Sequence, residues 1–269
     1  MNFLNKSNQI SKDNNELKNL FNTNGFIVLR DSVPIDLIKE VKKDLLEAVD
    51  KNKITNSKRD IHFFKNGEIS SAHNLIEYIP SYKKLMSTKK ISNFFKSIFS
   101  EIKSSKFNSS YFAKPKYQGL ETKPHQDNAF FCMEPAEIAT CWMPLTFSNK
   151  NNGCLYYYEK SHNSGNLNHI PMGNLGASMC LDEEELQKVE KKFKKVFVEL
   201  KLGDCIIHNA LVVHGSEANK SDKDRNAFNF SLGNKNSSRN EVLFKNYKKK
   251  LENFLKKKKF NRVEENKFA

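Results

Sequence analysis

Long apolar runs are missing from this 269-residue chain. None approaches the roughly 20 residues that a membrane-spanning helix needs, and the first residues carry no signal-peptide pattern. Glycine (10) and proline (7) are sparse. No Gly/Pro-rich linker and no internal repeat divides the chain, so one large domain is expected. Cysteine is present five times (Cys132, Cys141, Cys154, Cys180, Cys205) but never as Cys-x-x-Cys, which argues against a structural zinc site. Several lie in apolar runs, so buried reduced thiols and a cytoplasmic setting are expected.

Acidic residues are the minority, 31 against 45 Lys+Arg, for a net charge of +14. Half of that excess sits at the end, where Phe244–Ala269 carries ten Lys/Arg and three Glu. Phe244, Tyr247, Leu251, Phe254 and Leu255 fall at helical spacing among those lysines. The segment therefore reads as an amphipathic helix laid on the domain, with a solvated basic face. Attraction of an anionic substrate, or weak contact with nucleic acid or an anionic membrane, are the functional alternatives. No nucleic-acid-binding motif accompanies the charge, so no specific nucleic-acid partner is expected.

The first third reads as helix-rich. A short helix is expected over Asn14–Asn22, a strand over Ile27–Arg30, and a helix from Pro34 to about Asp50. The last has an apolar stripe at Leu37, Ile38, Val41, Leu45 and Leu46. One or two more helices follow over Tyr82–Phe99. From Phe107 onward the pattern changes to strands: Phe107–Ala113, Thr140–Phe147, Cys154–Tyr158, Val196–Leu200, Asp204–His208, Leu211–His214 and Ala227–Leu232. Asp182–Lys194 is a helix within that region. The expectation is α+β, with residues 1–243 one domain and 244–269 a basic tail.

Within the strand region lies Lys123-Pro124-His125-Gln126-Asp127-Asn128, and far downstream Val213-His214-Gly215-Ser216. Two imidazoles and a carboxylate can occupy one face of an octahedral Fe(II) and leave the other positions open. Residues i and i+2 of a strand face the same side, so an extended backbone would aim His125 and Asp127 together and Gln126 away. His214 would join them from the end of a remote strand, as a jelly roll allows. Arg225, eleven residues on, can grip a dicarboxylate with its planar fork. His-x-Asp alone also occurs in ordinary surface loops; the downstream histidine and arginine in strand contexts give it weight.

These stretches resemble the phytanoyl-CoA dioxygenase family of 2-oxoglutarate oxygenases. Pro124-His125-Gln126-Asp127, Asn152-Gly153-Cys154-Leu155, Lys160-Ser161-His162, Leu202-Gly203-Asp204, His208, His214-Gly215-Ser216 and Arg225 occur in the family's order. Asn24-Gly25-Phe26-Ile27-Val28-Leu29 fits less specifically. Glu159 departs from the family, which usually has proline before the Lys160-Ser161-His162 turn. The resemblance implies a double-stranded β-helix core (jelly roll, cupin-like) with flanking, mostly amino-terminal helices.

The resemblance also implies roles. His125, Asp127 and His214 would hold Fe(II). Arg225 would meet the distal carboxylate of 2-oxoglutarate, with Ser216 as a hydroxyl donor to it. Trp142 and Gln126 would lie near the cosubstrate, though core packing for Trp142 and a solvated or supporting place for Gln126 stand equally open. The implied reaction uses O2, converts 2-oxoglutarate to succinate and CO2, and hydroxylates an unactivated C–H of a small molecule. The carboxylate of Asp127 favours that outcome over halogenation. His208 reads as a core histidine, with a ligand-orienting role as the alternative. His62, His73, His162 and His169 have no partner at ligand spacing. Lys123, Arg59, His62 and Lys114 are candidate anion or substrate contacts, each reading first as a surface residue. A non-catalytic metal-binding jelly roll and a basic module acting through the lysine tail remain the competing classes.

Overall fold

The computed structural model describes residues 13–51, 60–103, 108–174 and 177–257. Arg59 and the last twelve residues of the basic tail lie outside them. The amino-terminal part runs α1 (Asn14–Asn24), β1 (Phe26–Leu29), α2 (Ile35–Asp50), β2 (Ile61–Phe63), β3 (Ile69–Ala72), α3 (Leu75–Tyr78), α4 (Tyr82–Met86) and α5 (Lys89–Ile98). The strand-rich part begins with β4 (Ser109–Lys114), β5 (Thr122–His125), α6 (Asn128–Phe131), β6 (Met133–Glu134), β7 (Ile138–Pro144) and β8 (Leu155–Tyr158). It continues with β9 (His169–Asn174), β10 (Ala177–Leu181), α7 (Glu183–Lys192), β11 (Lys195–Phe197) and β12 (Cys205–Asn209). β13 (His214–Ser216), β14 (Arg225–Gly233), β15 (Ser238–Arg239) and α8 (Glu241–Lys257) complete it.

Two antiparallel sheets form the jelly-roll core. The larger has the order β1-β12-β7-β14-β4-β3-β2, the smaller β11-β8-β13-β5. Register sorts the side chains of the large sheet. Trp142 on β7 stands opposite Ile206 on β12 and Asn229 on β14, while Thr140 stands opposite His208 and Ser231. These residues share the inner face, because directly opposed strand residues point the same way. Their neighbours Cys141, Met143, Ile207, Phe228 and Phe230 occupy the outer face.

That outer face and the helices enclose the largest apolar cluster, which joins Cys141, Met143, Ile207, Phe228 and Phe230 to Phe21, Val41, Leu45, Phe94 and Phe95. Because β7 is buried along its whole length, it reads as a continuous apolar run and not an alternating one. A second cluster lies between the sheets: Phe26, Trp142, Leu155, Tyr157, Ile206, Val212 and Ala227.

Local chemistry explains the helix limits. α1 ends where Gly25 turns left-handed (φ 84°) and returns its N–H to Phe21 O, a conformation that favours glycine. Asp182 caps α7 by accepting from the Glu185 N–H at 2.8 Å, and Lys191 and Lys192 complete the complementary charge of its last turn. In α2 the buried stripe is Ile38, Val41, Leu45 and Ala48. Leu46, expected in the stripe, is 49% exposed, because position 46 points away once 38, 41, 45 and 48 define the face.

The expected strand ending at His214 is shifted: Leu211–Val213 form a turn, and His214 opens β13. The Leu211 N–H is held by the Asn209 side chain at 2.8 Å and the Val212 N–H by Asn209 O at 3.0 Å, which bends the chain there. The family's proline position causes no disorder at Glu159, whose backbone N–H donates to Lys194 O at 3.0 Å, a bond proline cannot make. α8 begins at Glu241, ahead of the expected boundary at 244, and packs on the domain with Tyr247 edge-on to Phe130 (6.4 Å) and the Lys250 ammonium donating to His169 O at 2.9 Å. Among the described residues no helix is long and apolar enough to cross a membrane.

Phe94 is fully buried and meets Phe21 edge-to-face at 5.6 Å. Phe94→Ala should therefore lower unfolding free energy by about 3–5 kcal/mol, measured by urea denaturation; a loss below about 1 kcal/mol would mean that helices and sheet do not share this core.

Candidate metal centre

The small sheet aligns its inward side chains by register. His214 on β13 stands opposite His125 on β5 and opposite Tyr157 on β8. The His125 and His214 rings lie 4.4 Å apart, centre to centre. Tyr157 lies near-parallel to His214 at 5.6 Å, with Phe26 stacked on Tyr157 at 4.4 Å. The His125 Nδ1 sits 2.8 Å from Lys123 O and the His214 Nδ1 3.1 Å from Val212 O. Carbonyls only accept, so both Nδ1 atoms carry the proton and both Nε2 lone pairs are free.

Asp127 does not reach this cluster by strand alternation. β5 ends at His125, and Asp127 has helical dihedrals (φ −60°, ψ −32°) at the start of α6. Helical φ/ψ at the strand's end brings its carboxylate back toward the imidazoles. Oδ1 lies 3.8 Å from His125 Nε2 and 3.6 Å from His214 Nε2. One donor atom from each of the three residues falls within 4.8 Å of the others, a spacing one metal ion can bridge.

Electrostatics suit a cation here. Burial favours the neutral form of both imidazoles and holds His125 and His214 below the ordinary histidine range; His214 is also lowered by its histidine neighbours. Burial opposes the Asp127 charge, but the hydrogen bond from His208 and the nearby imidazoles outweigh it and hold the carboxyl below its usual range. Two neutral nitrogens and one carboxylate form the donor set that iron of this class accepts.

A second, cationic group lies across the same interior. Arg225 opens β14 opposite Lys114 on β4. Both are buried, at 4% and 5% exposure. The Arg225 guanidinium lies 5.4 Å from the centre of the Trp142 ring, and its Nε is buried without a hydrogen-bond partner. The Lys114 ammonium donates to Ser216 Oγ at 2.6 Å and Glu217 O at 2.7 Å. Burial, with Arg225 beside it, pushes Lys114 down to about 6, and burial pushes Arg225 down to about 10. Among the described residues no carboxylate forms an ion pair with either. Keeping both groups charged here without a counter-ion is costly, which is why Lys114 is held so low; a bound anion would offset that cost. The orphaned Arg225 Nε and the Ser216 hydroxyl, which keeps its own proton while accepting from Lys114, fit a carboxylate-bearing cosubstrate.

The remaining expected residues divide. Trp142 is a core residue of the inner face that also underlies Arg225. Gln126 is tied to the surrounding loops, the supporting place the sequence left open: its amide donates to Gly165 O (2.8 Å) and Leu211 O (2.7 Å) and accepts from Leu167 N–H (2.8 Å). Both amide protons are thus spent on neighbouring loops. His208, read first as a core histidine, instead contacts Asp127 Oδ2 at 3.1 Å. Lys123 is exposed. His62 and His73 face each other at 6.0 Å beside Phe112, and His73 Nδ1 lies 2.9 Å from Ser110 Oγ. His162 bonds Asn22 O. Thr140 and Tyr157 were missed. Thr140 had a usable signal, as the one hydroxyl in the buried run Ile138–Pro144. Nothing in Tyr156-Tyr157-Tyr158 says which tyrosine faces inward.

Comparison with known proteins converges on this reading. EctD from S. alaskensis with bound Fe has the same fold, with a TM-score of 0.67 at 18% identity over 81% of this chain and 76% of that one. The carbocyclase SnoK from nogalamycin biosynthesis, described as non-heme and alpha-ketoglutarate-dependent, gives 0.67 at 18% identity over 86% and 87%. Fold class and donor set are those of a jelly roll that can hold one metal ion between its sheets.

Within that class the model of the phytanoyl-CoA dioxygenase family matches residues 21–227, and the chain belongs to that family. A phytanoyl-CoA dioxygenase of Arabidopsis thaliana is 32% identical over 124 residues, 46% of this chain and 42% of that protein. A Caenorhabditis elegans homolog of phytanoyl-CoA dioxygenase domain-containing protein 1 is 26% identical over 255 residues, 79% of this chain and 88% of that protein. The alignment thus spans less than half of the plant relative and most of the nematode one.

His169 offers a pH test. It accepts the Gln126 N–H on Nε2 (3.0 Å) and donates from Nδ1 to Leu167 O (2.9 Å), so the fold requires it neutral. Burial lowers it to about 4. The unfolded chain binds this proton below about 6.5 and the folded chain does not, so stability falls as pH drops from 6.5 toward 4. At pH 5 the loss from His169 should be about 2 kcal/mol relative to pH 7.5. Urea denaturation of His169→Gln, which can still accept that N–H, should show a correspondingly smaller drop; an equal drop would acquit His169.

Proposed function

We propose that this protein hydroxylates an unactivated C–H of a small anionic metabolite, coupled to conversion of 2-oxoglutarate and O2 to succinate and CO2. The observation that carries the proposal is one interior with two poles: the His125–Asp127–His214 donor set and the buried Arg225–Lys114 pair, which forms no ion pair with a carboxylate among the described residues. His125 Nε2, Asp127 Oδ1 and His214 Nε2 hold Fe(II). Arg225 grips the distal carboxylate of 2-oxoglutarate through its planar fork, and Ser216 adds a hydroxyl donor that Lys114 orients. Trp142 backs the guanidinium and keeps it from turning away. Bound iron supplies oxidative chemistry that no side chain possesses; the protein binds, orients and excludes water.

The apolar floor formed by Trp142, Ile206, Val212 and Ala227 keeps that interior dry, which strengthens every charge contact within it. The five cysteines are all unpaired and buried, which fits a reducing compartment, and we assign the protein to the cytoplasm. The net charge of +14 draws anionic substrates toward it.

Succinate formed in proportion to oxidised substrate is the expected readout. Arg225→Ala should weaken 2-oxoglutarate binding about 10- to 100-fold, the worth of charge-assisted hydrogen bonds, with iron binding intact. Calorimetric titration giving the same 2-oxoglutarate affinity in Arg225→Ala would remove this role, and absence of succinate across a screen of anionic candidates with iron verified would remove the reaction.

A further inference from the structure

Asp127 is the one member of the donor set with two oxygens to offer a metal, and the structure treats them differently. Oδ1 faces His125 Nε2 at 3.8 Å and His214 Nε2 at 3.6 Å. Oδ2 faces the opposite sheet, where it accepts from Thr140 Oγ1 at 2.6 Å and meets His208 Nε2 at 3.1 Å. Thr140 comes from β7 and His208 from β12, with those two residues paired in register.

Each donor is itself held. The Thr140 hydroxyl gives its proton to Asp127 and is left to accept from Ser231 Oγ, 2.9 Å away. His208 Nδ1 lies 3.0 Å from the Tyr157 hydroxyl. A carboxylate only accepts, so His208 must present its proton from Nε2, and Nδ1 then accepts from Tyr157. Tyr157 thereby sets the tautomer of His208 from its hydroxyl while its ring stacks against His214.

We infer that His208 is a positioning residue: together with Thr140 it reserves Oδ2, confines Asp127 to one coordinating oxygen, and so keeps one further metal position open to exogenous ligands. An unrestrained carboxylate can chelate a metal through both oxygens. Here the second oxygen would have to break two hydrogen bonds to a charged acceptor, each stronger than a neutral one. Supporting partners of this kind commonly tune metal affinity. The inference rests on the metal site proposed above.

The test uses Mn(II) on the apo full-length protein, without turnover. Affinity is read from the free-ion electron paramagnetic resonance signal, and open positions from water-proton relaxivity per bound ion. His208→Ala should weaken Mn(II) about 10- to 100-fold and lower relaxivity, as Oδ2 takes a place water had held. His208→Gln, whose amide can still donate to Oδ2, should restore most of both. Thr140→Val should lower relaxivity in the same direction and carries the test alone if His208→Ala does not fold. Unchanged relaxivity in His208→Ala and Thr140→Val, or a His208→Gln as impaired as His208→Ala, overturns the inference. Failure of the native protein to bind Mn(II) or Fe(II) would instead refute the metal site itself.

Discussion

The carboxylate of Asp127 is the point at which the two sheets of this jelly roll meet. It leaves the small sheet at the end of β5 and is received by β7 and β12 of the large one. A buried carboxylate left unpaired costs far more than a marginally stable fold can tolerate. Its protein partners, Thr140 and His208, hold one oxygen; the other faces the free Nε2 lone pairs of His125 and His214, an arrangement a metal cation would complete. Tyr157 joins that network from the small sheet, with its hydroxyl on His208 and its ring against His214.

The opposite pole obeys the same rule in reverse. Arg225 and Lys114 are buried next to each other, and their stabilisation by the protein is incomplete: Lys114 has a hydroxyl and a carbonyl, while Arg225 has an aromatic face and an unpartnered Nε. A fold does not ordinarily keep two such basic groups side by side in its interior. Their retention makes sense when an anion completes the arrangement, and the anion then lies in the same interior as the metal ligands.

Much of this was legible in the chain. His125, Asp127, His214 and Arg225 could be singled out because metal and dicarboxylate chemistry restricts which residue types can serve. The helices α1, α2 and α7 and the strands β7, β12 and β14 followed from periodicity and caps. What escaped depends on backbone bends and on remote partners. Strand alternation gave the wrong reason for His125 and Asp127 pointing together, since Asp127 is helical and a His-x-Asp string does not disclose φ and ψ. His214 begins its strand because Asn209 bends the chain ahead of it. The surroundings of Gln126 could not be read because its partners, Gly165, Leu167 and Leu211, are 39 to 85 residues away. Lys114 read as surface because burial of a lysine is improbable from composition alone; only the pairing of β4 with β14 places it beside Arg225. The strands β2, β3 and β5 have polar residues among only three or four positions, too few for periodicity to register.

One measurement addresses the central claim directly: anaerobic titration of Fe(II)-loaded protein with 2-oxoglutarate, followed by visible absorption. The expected result is a weak metal-to-ligand charge-transfer band that saturates with 2-oxoglutarate, disappears in His125→Ala and Asp127→Ala, and requires far more 2-oxoglutarate in Arg225→Ala. Absence of the band in the native protein, with iron bound and the fold intact, would contradict a shared interior for metal and cosubstrate.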